Sequence, residues 1–144
     1  MRDEFQSAVE AINMQRTNIS SGSPWESKAG YSRAVRVGQF VFVAGTTASD
    51  SEGKVHGIGD AYLQAKYILE KIETSLKQAG SSMKDVVRTR TFLTDISLTE
   101  KVSRAHHEFF SKVRPAATMV EVSALVSKEM LVEIEVDAVI SSEV

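Results

Sequence analysis

The residue types able to do chemistry are few in this sequence: three histidines, no cysteine, and two groups of like charge at alternate positions. Without cysteine there is no disulfide, no thiolate nucleophile and no cysteine-ligated zinc or iron–sulfur site. His106 and His107 are adjacent, so on a helix they point about 100° apart and cannot share a metal as an i,i+4 pair would. They read as ordinary, partly exposed helix residues. His56 lies in a glycine-rich stretch with nothing to orient it, and Gly57-Ile58-Gly59 lacks the third glycine of a dinucleotide fingerprint and follows no strand. No G-x-S-x-G elbow or phosphate loop occurs. Neither a metal site nor a cofactor is expected. Trp25 reads as a packing or interface anchor, not a stacking platform. The charged groups are more telling. Glu133, Glu135 and Asp137 alternate with Val132, Ile134, Val136, Ala138 and Ile140, a period of two that sets the carboxylates on one face of a strand. Arg88 and Arg90 share a face in the same way. Buried carboxylates need cations, so the two sets form either a solvated ladder between strands or the lining of a cleft between subunits; the spacing favours the ladder.

The elements that must position these groups follow from periodicity. At 144 residues the chain is one domain's worth. A net charge of −2 argues against nucleic acid as a partner. No apolar run approaches a membrane span and the N-terminus lacks the apolar core of a signal peptide, so a soluble, cytoplasmic protein without a membrane partner is expected. Residues 2–14 carry Phe5, Val9 and Ile12 at helical spacing, and 20–24 form a loop by composition. Strands over 34–37 and 40–44 flank Gly38-Gln39, a hairpin of the type II′ kind, and 45–59 read as a long loop. Asp60 caps a helix whose apolar stripe runs from Ala61 to Ala79 before Gly80. A strand over 85–94 places Val87, Thr89, Thr91 and Leu93 on one face and Val86, Arg88, Arg90 and Phe92 on the other. A second helix spans 98–113, ended by Pro115, and strands follow over 118–124 and 131–140. The fold class is α/β (α+β), a mixed sheet with the helices on one face.

Residues 30–38 (Gly-Tyr-Ser-Arg-Ala-Val-Arg-Val-Gly) with Val41–Gly45, the passage Ala79–Thr89, the strand end Phe92–Asp95, and Arg114-Pro115-Ala116 through Val132–Glu135 resemble, in order and spacing, the signatures of the RidA/YjgF (reactive-intermediate deaminase, L-PSP-type) family. The likeness covers about residues 29–140, so 29–144 is taken as the domain and 1–28 as an N-terminal helix and loop extension. The resemblance implies a chorismate-mutase-like fold assembled as a homotrimer, with a central barrel of sheets and clefts between subunits. It also implies cofactor-free hydrolysis of imines and enamines. Carried over by position, Glu133 corresponds to the glutamate that positions the attacking water, and Tyr31 to the tyrosine of the first signature. Gly45 and Thr46 would offer donors to the substrate, Thr118 and Met119 would line its cleft, and Ser103 stands where many relatives have asparagine. Active deaminases carry arginine after Pro-Ala to hold the substrate carboxylate as a fork. Here Ala117 stands in its place, which argues against the standard 2-iminocarboxylate reaction and places the chain with the arginine-less branches. Arg88 or Arg90 would then supply a displaced anion site, or else neutralise the three carboxylates, the latter slightly favoured. The first expectation is a hydrolase acting on a labile small metabolite; the second is a metabolite-binding or regulatory trimer. Ribonuclease activity is the weakest reading at this charge.

Overall fold

The computed structural model describes residues 3, 4 and 14–141; the N-terminal helix expected over 2–14 falls almost wholly outside them. One six-stranded mixed sheet organises the rest, in the order β1-β2-β3-β6-β4-β5. Its strands are β1 (Arg16–Ile19), β2 (Ala34–Val37), β3 (Phe40–Thr46), β4 (Val86–Leu93), β5 (Ala116–Glu121) and β6 (Val132–Val139). All pairs are antiparallel except β4 with β5. Three helices connect them: α1 (Pro24–Ala29), α2 (Ala61–Gln78) and α3 (Thr99–Phe110). Ile68, Leu69, Ile72 and Leu76 of α2, with Val102, Ala105 and Phe110 of α3, pack on Val41, Val43, Leu93, Val132, Ile134 and Val136 in one buried core. No helix among the described residues is long and apolar enough to cross a membrane.

The strand pattern of β6 survives intact: Val132, Ile134, Val136 and Ala138 are buried, and the intervening carboxylates lie on the opposite face. The β2–β3 hairpin closes through Gly38 at φ +59°, the positive angle that the first turn position of a type II′ hairpin requires. Helix α2 begins where Asp60 accepts from the Leu63 amide. It ends at Gly80, φ +79°, where a Cβ would meet Arg36 Nη1 at 2.6 Å. Arg36 donates from that end to Ala79 O (2.8 Å) and from Nε to Gly38 O (2.9 Å), tying the hairpin turn to the end of α2. Arg36→Met should therefore lower the unfolding free energy by about 1–3 kcal/mol, read from denaturant titration, since two charge-assisted bonds are lost.

Four expectations need correction. First, the alternation of β4 is broken at Val87. The register with β6 shifts between Val86 and Arg88, so Val86 is buried at 3% while Val87 is exposed, the reverse of the simple period-two reading. A bulge adds one residue and flips the faces beyond it. Second, α3 stops at Phe110 rather than 113, and Arg114 takes φ +54° before Pro115. Its buried face is Val102, Ala105 and Phe110, with Phe109 and Val113 only partly covered. Third, Trp25 belongs to the helix α1, for which no element was expected. Ser23-Pro24-Trp25-Glu26 carries a serine cap, proline in the first turn and glutamate three residues after the cap, the pattern of a helix start. Fourth, β1, for which no element was expected, forms an edge of the sheet beside β2.

Candidate functional site

Glu133 and Gly45 meet because β3 carries a bulge. Up to Val43 the strand faces β6 in regular register, with Val41 opposite Ala138 and Val43 opposite Val136. The next pair is Thr46 with Ile134, one residue late. Thr46 therefore takes the buried position that strict alternation would give residue 45, and Gly45 turns toward the carboxylate face. A Cβ built on Gly45 would lie 2.2 Å from Glu133 Oε1. Only glycine lets that carboxylate lie against the backbone here. Thr46 is 1% exposed and its hydroxyl donates to Ala44 O at 2.8 Å, so the hydroxyl expected to face a substrate is turned inward and already paired.

Glu133 is half-buried. Burial pushes its carboxyl up from the ordinary glutamate value, with the charge of Glu135 adding to that and Arg33 opposing it. The register explains why β4 does not neutralise it. Phe92 lies opposite Glu133, whereas Arg90 faces Glu135 and Arg88 faces Asp137. Arg90 Nη1 lies 3.0 Å from Asp137 Oδ2 and 3.3 Å from Glu135 Oε1. The ladder reading thus holds for Arg90. Arg88 instead donates to Thr118 Oγ1 at 3.2 Å.

Two cations stand behind Gly45, and neither was singled out as a site residue. Arg33 donates from Nη2 to Gly45 O at 2.8 Å, while its buried Nε has no hydrogen-bond partner. Lys71 of α2 donates to Thr47 O (2.8 Å) and Ser49 O (2.6 Å), pinning the chain just beyond β3. Burial, and then the Arg33 charge, push the Lys71 ammonium down to about 8, against a smaller opposing effect of Asp50. A lysine depressed in the folded state penalises folding below that value and less so above it. The stability of wild type relative to Lys71→Met should accordingly rise between pH 8 and the ordinary lysine value of 10.5, as thermal denaturation across that window would show.

Tyr31 follows α1, whose Glu26 O accepts from the Gly30 and Tyr31 amides (2.9 and 3.0 Å). The Glu26 carboxylate is buried. Burial alone would raise its pKa, but bonds from Ser21 and Ser20 and the Arg33 charge together lower it. The Tyr31 ring is 42% exposed, with the Arg33 guanidinium 5.8 Å from its centroid. It opens on a cleft it shares with Arg16, Phe42, Glu135 and Asp137.

The remaining expected residues gather elsewhere. Ser103, Thr118 and Met119 line a second cleft between α3 and β5, together with Ala117. His106 also lines this cleft, its Nε2 2.9 Å from Thr89 Oγ1, and burial lowers its pKa; it is more structured than the ordinary helix position expected of it. Within one chain the candidates form two groups. Tyr31, Gly45 and Glu133 lie toward β2, β3 and β6, and Ser103, Thr118, Met119 and Arg88 lie toward β4, β5 and α3. No group of three or more His, Asp and Glu side chains among the described residues is placed to hold a metal.

The family model described as Endoribonuclease L-PSP matches residues 21–140. An uncharacterized protein of Streptomyces coelicolor is 38% identical over 120 residues, covering 83% of this chain and 89% of the relative. The 3-aminoacrylate deaminase RutC of Acinetobacter baylyi is 35% identical over 106 residues, 74% of this chain and 83% of that protein. A crystal structure of a YjgF/YER057c/UK114 family member from Mycobacterium tuberculosis superposes with TM-score 0.80 at 48% identity, covering 88% of this chain and all of that one. The family match over residues 21–140, the relatives and the superposed structure agree, and the chain belongs to the RidA/YjgF (L-PSP) family.

Proposed function

We propose that this protein is a cofactor-free hydrolase of an imine, enamine or related labile small metabolite, working as a homotrimer whose clefts join the Glu133 group of one subunit to the Thr118 group of another. The observation that carries the reading is Glu133: a half-buried carboxyl raised by burial, without a cation from β4, lying against the Gly45 backbone. A carboxyl raised by burial is, once ionised, a stronger base than an ordinary carboxylate. As carboxylate it takes a proton from the water that adds to the imine carbon and returns it to the nitrogen of the adduct, so that the C–N bond breaks as the C=O bond forms and ammonia leaves. Tyr31 orients the substrate. The exposed Phe40 and Phe42 support assembly, because their cross-strand pairing with Val139 and Asp137 puts them on the face away from the helices; large apolar side chains there favour a covered face. Arg90 with Glu135 and Asp137 would line that interior.

Ala117 favours a second reading, a trimer that holds a metabolite without turning it over, because the substrate fork expected after Pro115-Ala116 is missing. RNA is disfavoured by the carboxylate face and the net charge of −2. The deciding experiment generates 2-aminoacrylate, and separately 3-aminoacrylate, in coupled assays and follows their decay with wild type and Ala117→Arg, alongside a solution mass. The expected mass is three times 15.8 kDa, with wild type accelerating decay of at least one enamine. A trimer silent in both variants would support binding, and a monomer would overturn both readings.

A further inference from the structure

One guanidinium reaches both Tyr31 and the Gly45–Glu133 contact without being neutralised by any carboxylate of the described residues. Arg33 is fixed at its root, where its amide donates to Ile19 O (2.9 Å) and its carbonyl accepts from the Ala44 amide (3.0 Å). From there Nη2 donates to Gly45 O at 2.8 Å, and the guanidinium carbon stands 5.8 Å from the centroid of the Tyr31 ring, within cation–π range. Its Nε is buried and has no hydrogen-bond partner, and none of the ion pairs among the described residues includes it. A guanidinium drawn out of water normally takes a carboxylate, and a buried donor left open costs free energy. Holding one carbonyl needs only a neutral donor, so a cation in this place points to a use for its charge. The group in reach of that use is Glu133. The Gly45 backbone that Arg33 holds is the surface on which that carboxylate lies, since a Cβ there would come 2.2 Å from Oε1. The neighbouring strands bring Glu133 no cation of their own: β4 sets Phe92 opposite it, and Arg90 is taken by Glu135 and Asp137.

We infer that Arg33 is the positioning residue of the Glu133 site: by holding the Gly45 carbonyl it fixes the bulge against which the Glu133 carboxylate lies, and it brings an unpaired positive charge to that carboxylate. The inference deepens the hydrolase reading and rests on it, because a positioning residue presupposes the base it positions. Burial pushes the Glu133 carboxyl up, Arg33 pulls against that, and the charge of Glu135 adds to the rise. The raised carboxyl is the stronger base once ionised, and the Arg33 charge keeps it ionised over more of the pH range where it acts. The same guanidinium lies against the Tyr31 ring, so one side chain couples the group that orients the substrate to the group that moves the proton.

Arg33→Gln, Arg33→Lys and Arg36→Met in the full chain test it through two readouts. One is the titration of the Glu133 carboxyl by carbon-13 NMR, its signal identified by its loss in Glu133→Gln. The other is the pH profile of 2-aminoacrylate and 3-aminoacrylate decay. Arg33→Gln can still donate to a carbonyl but carries no charge, so Glu133 should titrate at higher pH than in wild type. The acidic limb of the rate profile should move up with it, and the rate at neutral pH should fall about tenfold or more. Arg33→Lys keeps the charge and should return both the titration and most of the rate toward wild type. Arg36→Met removes two arginine–carbonyl bonds at the other end of the hairpin, so it should lose stability yet leave both profiles in place. Lower stability in Arg33→Gln with Glu133 titrating as in wild type would make Arg33 a structural clamp only and overturn the inference. So would a Glu133 titration no nearer to wild type in Arg33→Lys than in Arg33→Gln. A wild type silent on both enamines, with Glu133 still titrating higher in Arg33→Gln, would overturn the hydrolase reading and uphold the hold of Arg33 on that carboxyl.

Discussion

Glu133→Gln is expected to separate turnover from stability, moving them in opposite directions. If Glu133 handles the proton of the attacking water, the amide removes that function and enamine hydrolysis falls by about 10²–10⁴-fold. Stability at neutral pH should rise. The carboxyl is raised in the folded state chiefly by burial, so the native protein holds its proton more tightly than the unfolded chain does. Above the ordinary value of 4.5 the unfolded state ionises first and is favoured. The penalty on wild type is complete once pH exceeds the raised folded value, and it vanishes below 4.5. The advantage of the glutamine variant should therefore be present at pH 7 and close as pH falls through that window, which denaturant titration at several pH values reads directly. Unchanged turnover would remove Glu133 from the chemistry. A less stable variant at neutral pH would mean that partners outweigh burial at this carboxylate.

Gly45→Ala should slow turnover sharply without unfolding the protein. Gly45 does not take a positive φ, so alanine adopts its backbone without strain. The new Cβ would fall 2.2 Å from Glu133 Oε1 and 3.2 Å from its Cδ. The colliding atoms form the free end of a flexible side chain, so the carboxylate swings away and the unfolding free energy changes by less than about 1 kcal/mol. Displacing a catalytic group by about 1 Å costs on the order of 10²-fold in rate. The double variant Gly45→Ala/Glu133→Gln should be no slower than Glu133→Gln alone, since both changes disable one group. Additive losses would show that Gly45 acts on something other than this carboxylate.

Legibility differed from element to element for physical reasons. Helix α2 was plain because its apolar stripe repeats over eighteen residues with a cap at its start, and β6 because each alternate side chain is apolar without a break. The α1 helix was missed although Ser23, Pro24 and Glu26 spelled its start; six residues are too few for periodicity to show. The face of Val87 was misassigned because a bulge leaves no mark in composition, only in the register with a partner strand. Arg33 and Lys71 went unnoticed as site groups for a related reason. What they hold are the backbone carbonyls of Gly45, Thr47 and Ser49, and nothing in a side-chain pattern announces a carbonyl.

The chain's own residues determined the family, the fold class, the polar face of β6 and the absence of an arginine at position 117. These are matters of residue identity and short-range period, which a linear reading contains in full. Tertiary structure decided which charges meet. One extra residue in β3 turns Gly45 toward Glu133 and Thr46 inward, and the β4–β6 register gives Arg90, not Glu133, its ion pairs. It also decided that Ala117 shares a cleft with Ser103, His106 and Met119. A shift of a single residue in strand pairing exchanges the two faces of a sheet, so the electrostatics of a site built on strands exists only once the register does.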